Sequence, residues 1–215
     1  MDIIEKAIAF ATEAHEGQVR KYTGLPYIIH PLAVASKVAE VTDDKNMYCA
    51  AILHDVVEDT KFSLDDIKYS FGADIEELVF WLTDISQPKH GKRSVRKSID
   101  REHIGRAPKE AKTIKLADLI HNTQSIVKHD ERFAKVYMQE KRLLLDVLQE
   151  GNEELHKQAS HIVFEYEIKQ ASERIRMSQQ AMASEHFFKV PHRPREFFAG
   201  RGFNFPEEAY RIAGI

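Results

Sequence analysis

Residues 50–60 read AAILHDVVEDT: the apolar run Ala50-Ala51-Ile52-Leu53 stops at His54-Asp55, and Glu58-Asp59 follow after two valines. On a helix advancing about 100° per residue, with His54 at zero, Asp55 lies at about 100°, Glu58 at about 40° and Asp59 at about 140°. All four fall on one side. A stripe of acids can be a solvated face, but the apolar run before it argues against full exposure. Carboxylates buried together are costly unless a cation or protons compensate them. A lone His-Asp pair reads as structural, whereas four such groups on one face point to a metal or catalytic site. The zinc-protease pattern H-E-x-x-H is not met, because position 58 is Glu. Further donors must come from separate elements. His30 stands in PYIIHP, just before a helix start. Asp118 belongs to a polar stripe, Lys115, Asp118, Asn122 and Ser125, spanning about 80° of an otherwise apolar helix; taken alone, that stripe reads as a surface face.

The elements that must position these residues are helical. Apolar positions recur at helical spacing and alternating strand patterns do not, so the expected class is all-α. Asp2 is placed to cap a helix to about His15, with Ile4, Ala7, Ile8, Ala11 and Ala14 on one face. Residues 16–29, with Gly17, Gly24 and Pro26, read as a loop, and Pro31 suits the start of a helix to about Val41. A third helix is expected from Asn46 to about Glu58. Ser63 with Asp66 marks the start of a short helix ending near Phe71-Gly72, followed by one from Asp74 to about Leu82. Residues 86–110, broken by Pro88, Gly91, Gly105 and Pro108, read as irregular. Helices are expected again over 112–127, over 131–150 closed by Gly151, and over 152–187. The net charge of -3 gives no general pull toward nucleic acid or membrane. One cysteine, Cys49, excludes an intramolecular disulfide, and no apolar run is long enough for a membrane span. A cytoplasmic location is the default expectation.

The order His30, His54-Asp55, Asp118 resembles the H…HD…D signature of HD-domain metal-dependent phosphohydrolases. The words AHEGQVRKYTGLPYIIHP, AAILHDVVEDT, FGADIEELV, LTD and IKLADLIHN narrow this to the hydrolase domain of RelA/SpoT-type alarmone enzymes, over about residues 5–150. The length resembles the stand-alone small alarmone hydrolases. The resemblance implies an HD-domain helical bundle with a metal site between helices, taken over residues 1–170; residues 171–215, a helical and aromatic extension, have no counterpart in it. It implies one divalent cation, Mn2+, on His30, His54, Asp55 and Asp118, with Glu58 and Asp59 acting on water and on the leaving-group proton. It implies hydrolysis of the 3′-pyrophosphate of ppGpp or pppGpp to GDP or GTP. Arg20, Lys21, Asn122 and Tyr137 match positions that contact substrate in the family.

Residues 89–112 hold nine Lys/Arg against three Asp/Glu. Such runs are usually solvated loops; the first functional expectation is a lid bringing Lys92, Arg93, Arg96 and Lys97 to the substrate phosphates, with a nucleic-acid patch or a regulatory contact as alternatives. A nucleic-acid polymer is disfavoured, since the segment has no interleaved aromatics. Where the family often has Arg after the Asn of the Asp118 helix, this chain has Thr123, Gln124 and Ser125. Adenosine alarmones such as pApp, phosphate removal from NADPH, and other nucleotidase activity therefore stay open. A degenerate nucleotide-sensing module is the reading from another class, and the six intact HD and Glu-Asp positions count against it. His121 and the remaining histidines are taken as non-ligands, His121 neighbouring the site by sequence only. The tail from Phe187 carries six of the twelve phenylalanines, so it docks on its own domain or on another subunit in a homo-oligomer.

Overall fold

The computed structural model describes residues 2–189, with side chains as far as 182. Its helices, in chain order, are α1 (Ile3–Ala14), α2 (Ile29–Ala39), α3 (Lys45–Leu53), α4 (Val56–Asp59), α5 (Leu64–Phe71), α6 (Ala73–Leu82), a 3-10 turn (Pro88–His90), α7 (Arg93–Gly105), α8 (Lys109–His129), α9 (Glu131–Val147) and α10 (Glu153–Lys189). Among the described residues the only β pairing is an isolated bridge between Val19 and Pro26. The class is all-α, as the periodicity predicts.

Local chemistry sets the boundaries. Asp2 and Glu5 form a capping box on α1, and Ser63 and Asp66 form one on α5, satisfying backbone N–H groups that have no partner within the helix. Pro31 sits in the first turn of α2, where its missing N–H costs nothing. The core is built on α3, whose Met47 and Cys49 through Leu53 are all buried. Around it pack α1, α2, α6 and α8, contributing Ala7, Ala11, Val34, Val38, Ile75, Val79, Leu116 and Leu119. Burial of this apolar surface, at roughly 25 cal/mol per Å2, is the main source of stability.

Two expectations are corrected. The helix expected over 46–58 is broken: α3 ends at Leu53, His54 and Asp55 form a turn, and α4 begins at Val56. The cause is local. His54 Nδ1 reaches the Ala51 carbonyl at 2.7 Å, taking the acceptor that a continuing helix would give to the backbone N–H of residue 55. The four polar groups therefore do not share one helical phase. Residues 86–110, expected to be irregular, contain the 13-residue α7. Gly91, Gly105 and Pro108 lie at or beyond its ends rather than inside it. Buried Asp100 fastens it by accepting from the Ser86 backbone N–H and hydroxyl, both at 2.9 Å.

The chain divides into two compact units between Tyr166 and Glu167. The first holds α1 to α9 and the opening of α10. The described part of the second is the rest of α10, on which Ile168, Ile175, Met177 and Met182 are exposed. The aromatic tail expected to dock or pair has its side chains outside the described residues. No helix among the described residues is long and apolar enough to cross a membrane.

Candidate active site

Side chains from α2, the α3–α4 turn and α8 converge. His30 Nε2 lies 3.4 Å from Asp55 Oδ2 and 3.3 Å from Asp118 Oδ1. His54 Nε2 lies 3.1 Å from Asp55 Oδ2 and 3.9 Å from Asp118 Oδ1. His30, His54 and Asp55 each offer one ligand atom within 4.8 Å of the others.

The donor set fits a divalent cation. With Nδ1–H of His54 given to Ala51, its Nε2 is buried and has no directed hydrogen bond. His30 Nδ1 lies 2.7 Å from His121 Nδ1. Burial, then the nearby His30 and Arg20, hold His121 down at about 4, so it is neutral and accepts the His30 Nδ1–H. In their neutral forms both ligand candidates would present a lone pair on Nε2, each with its other nitrogen anchored, the arrangement metal-binding histidines use. Two imidazoles with two carboxylates suit a first-row divalent ion. Without a cation, burial opposes charge on His54 but Asp55 and Asp118 outweigh it, pushing it up to about 9. Burial likewise opposes the charges of Asp55 and Asp118. His54 beside the first, and Lys115 with His30 and His54 beside the second, hold both carboxyls below their usual range.

Around this cluster lies a cavity of about 240 Å3. Glu58 and Asp59, from α4, open onto it. Glu58 Oε2 accepts from the Asp84 backbone N–H at 3.2 Å, and partial burial followed by the Asp84 charge pushes Glu58 up to about 7. Burial, then Asp55, raise Asp59 as well. The Tyr27 hydroxyl faces Asp55 Oδ2 at 2.8 Å and Asp59 Oδ2 at 3.1 Å, joining the cluster to the acid pair. Gln18 Nε2 donates to the Asp59 carbonyl and its Oε1 meets His15 Nδ1, so the 16–29 loop braces α4. Gly24, at φ +69°, lets that loop turn back, and Leu25 O accepts the Arg20 backbone N–H. Arg20 Nη2 then donates to Asn122 Oδ1 at 2.7 Å, and Asn122 Nδ2 to Asp118 Oδ1 at 2.6 Å.

Of the residues expected to contact substrate, Arg20, Asn122 and Lys97 line this cavity. Lys21 pairs with Asp130 at 3.5 Å and lines a neighbouring cavity with Arg20. Arg93 and Arg96 line a smaller cavity that shares Glu58, Asp84 and Lys97 with the first. Arg93 is clamped to Glu140 of α9 at 2.7 and 2.9 Å, so α7 is tied down rather than free. Lys92 is exposed at the start of α7. Tyr137 is buried and does not line the cavity; its ring lies 4.7 Å beneath Lys141 Nζ. Tyr27, Asp84 and Lys141 were not singled out from sequence, although Tyr27 stands in PYIIHP and Asp84 ends LTD. His121 is corrected from a neighbour in sequence to a hydrogen-bonding partner of His30.

Comparison with known proteins bears on this geometry. The family described as an HD domain matches residues 7–165. A Streptomyces coelicolor protein named GTP pyrophosphokinase is 36% identical over 140 residues, covering 65% of this chain and 16% of that protein. An Aquifex aeolicus protein named guanosine-3′,5′-bis(diphosphate) 3′-pyrophosphohydrolase is 38% identical over 136 residues, covering 62% of this chain and 19% of that one. The chain therefore spans less than a fifth of the length of these relatives. A solved structure described as a metazoan ortholog of SpoT that hydrolyzes ppGpp superposes with a TM-score of 0.70 at 28% identity, covering 77% of this chain and 96% of that one.

Proposed function

The chain belongs to the HD-domain family, and from that premise we propose that it hydrolyses the 3′-pyrophosphate of ppGpp or pppGpp, with a divalent cation, Mn2+ by preference, on His30, His54, Asp55 and Asp118. The observation that carries this is the convergence of those four donors around a buried His54 Nε2 with no directed hydrogen bond. The Aquifex relative's name and the ppGpp-hydrolysing neighbour support the substrate class. The pyrophosphokinase name is not carried over, because the match covers only 16% of that protein and the donors and acids around the cavity support hydrolysis.

When bound, the cation would supply Lewis-acid polarisation of a phosphoryl oxygen and lower the pKa of a coordinated water. The chain's own groups do the rest. Glu58, poised near neutrality by burial and Asp84, accepts the proton of the attacking water. The proton that Glu58 takes is then passed to the leaving oxygen, and Asp59, accepting from the Tyr27 hydroxyl at 3.1 Å, orients the attacking water. Water adds across a P–O bond, giving GDP or GTP and pyrophosphate. Arg20 and Lys97 supply cationic surface for phosphate oxygens, Arg as a fork and Lys as a point charge.

Another nucleotide phosphoester, such as pApp or NADPH, is the second reading. One observation favours it: Thr123 is fully buried and donates to the Leu119 carbonyl, so no cation is offered where the family often has Arg. Assembly through residues 171–215 is part of the proposal too, supported by exposed Ile175 and Met182, seven residues apart on α10; light scattering reads it.

Purified protein with Mn2+, offered ppGpp, pppGpp, pApp, NADPH and deoxynucleoside monophosphates, should release pyrophosphate from the first two. Turnover of monophosphates with none from ppGpp would refute the reading. Asp55→Ala should lose metal binding and turnover together, and Glu58→Gln should keep the metal and lose turnover.

A further inference from the structure

The cations that line the cavity beside the cluster are Arg20, Lys97, Arg101, Lys115 and Lys141. Four are engaged. Lys97 pairs with Asp84 at 2.5 Å, Lys115 with Asp118 at 3.1 Å, Arg20 donates to Asn122 at 2.7 Å, and Arg101 to Ser98 at 3.1 Å. Lys141, from α9, makes no hydrogen bond or ion pair among the described residues; its ammonium is set over the Tyr137 ring at 4.7 Å. Lys141 is partly buried at the cavity wall, and a lysine held there without a counter-ion is unfavourable, more so beside like charges. Burial first, then Lys115 and Lys97, press Lys141 down to about 8, while Asp118 and Asp84 pull the other way. The ring face recovers only part of the lost hydration. An incoming oxyanion would relieve this arrangement.

We infer that Lys141 is an anion-binding residue of the cavity, taking an oxygen of a phosphate or pyrophosphate group that enters beside the His30–His54–Asp55–Asp118 cluster. The inference rests on the hydrolase reading for the identity of the anion, but not for its existence. Lys141 differs from Lys97 and Lys115 in kind. Those two are each already paired with one of the cavity's carboxylates, so removing either also exposes an acid, whatever it gives to a ligand. Lys141 has no such partner, so its charge is free for a ligand.

The test uses the full chain loaded with Mn2+ and inorganic pyrophosphate as the probe, with binding read from the rise in melting temperature across a pyrophosphate titration. Lys141→Met should weaken pyrophosphate binding at least tenfold and leave Mn2+ affinity unchanged, while Lys141→Arg should stay within threefold of wild type on both. Wild-type affinity for pyrophosphate in Lys141→Met would overturn the inference, as would a parallel loss of Mn2+ in both variants, which marks a structural role. If Lys141→Met does not fold, Lys141→Gln replaces it. Brief amine acylation of the wild-type protein, read by peptide mass spectrometry, gives a mutation-free check: pyrophosphate should slow labelling of Lys141, and equal labelling with and without it counts against the site. Hydrolysis of ppGpp is followed in parallel. Pyrophosphate binding through Lys141 without hydrolysis sinks the hydrolase reading alone, and hydrolysis with unaltered pyrophosphate binding in Lys141→Met sinks the Lys141 site alone.

Discussion

His121 shows how a residue with no donor atom in the cluster governs it. Its Nδ1 accepts from His30 and so fixes which His30 nitrogen faces the carboxylates. His121→Ala should lower Mn2+ affinity roughly 10- to 100-fold, the usual cost of losing such a partner, with secondary structure by circular dichroism unchanged; calorimetric titration reads it. Asp84 tunes Glu58 in the same indirect way. Its negative charge favours the protonated form of Glu58, so activity should rise with pH through about 7 as the carboxylate appears. Asp84→Asn removes that charge and keeps the backbone N–H, so the rising limb of kcat against pH should move to lower pH. A limb that stays in place would rule Glu58 out as the base. Neither relation was legible in the sequence, although His121 and Asp84 stand in words that carry the family resemblance. Residue type and order name the donors. Which imidazole faces which, or which backbone N–H meets a carboxyl, depends on side-chain direction across separate helices.

Elements were legible where a pattern has one dominant cause and illegible where two compete. The capped helices α1 and α5 begin at Asp2 and Ser63 as their residues dictate. The stretch through His54 carries an unbroken helical apolar pattern, yet a side chain captures a backbone carbonyl and the helix ends. The segment containing α7 looked broken because its glycines and prolines were counted without regard to the room between them. Gly151 illustrates packing of a different kind. It does not merely close α9, which already ends at Val147. A Cβ on it would meet Leu116 Cδ1 at 2.8 Å, the Leu148 carbonyl oxygen at 3.1 Å and the Lys112 backbone carbon at 3.2 Å. Two of those three atoms are backbone and cannot swing aside. Gly151→Ala should therefore destabilise the protein by about 1–3 kcal/mol, read as a lower midpoint in urea with an unchanged slope.

For the molecule as a whole, the proposed metal site would link folding, protons and ion uptake. In the metal-free protein His54 is raised above its ordinary value to about 9, so its contribution to stability is fully present below about pH 6.5 and is lost as the pH climbs through 9. A bound cation needs neutral His54, so Mn2+ uptake at pH 7.5 should expel about one proton. Calorimetry in two buffers of different ionisation enthalpy measures this, and zero release would contradict the protonated cluster. Saturating Mn2+ at 100 times its Kd should add about 2.7 kcal/mol of stability and flatten the decline between pH 6.5 and 9, read from melting temperatures with and without chelator.

The turn at His54 has a consequence for how such a protein can decay. One nitrogen of this residue steers the backbone and the other faces the ion site. A descendant that exchanged His54 for an apolar residue would not keep a vacant pocket of the original outline. Its chain would regain the helical bond from residue 55 to Ala51 and swing the acid pair to a new heading, so that no substitution at another position would rebuild the site. A structure of His54→Leu should show that added helical turn. Ancestry in this lineage would then be written in the path of the chain as well as in its residues.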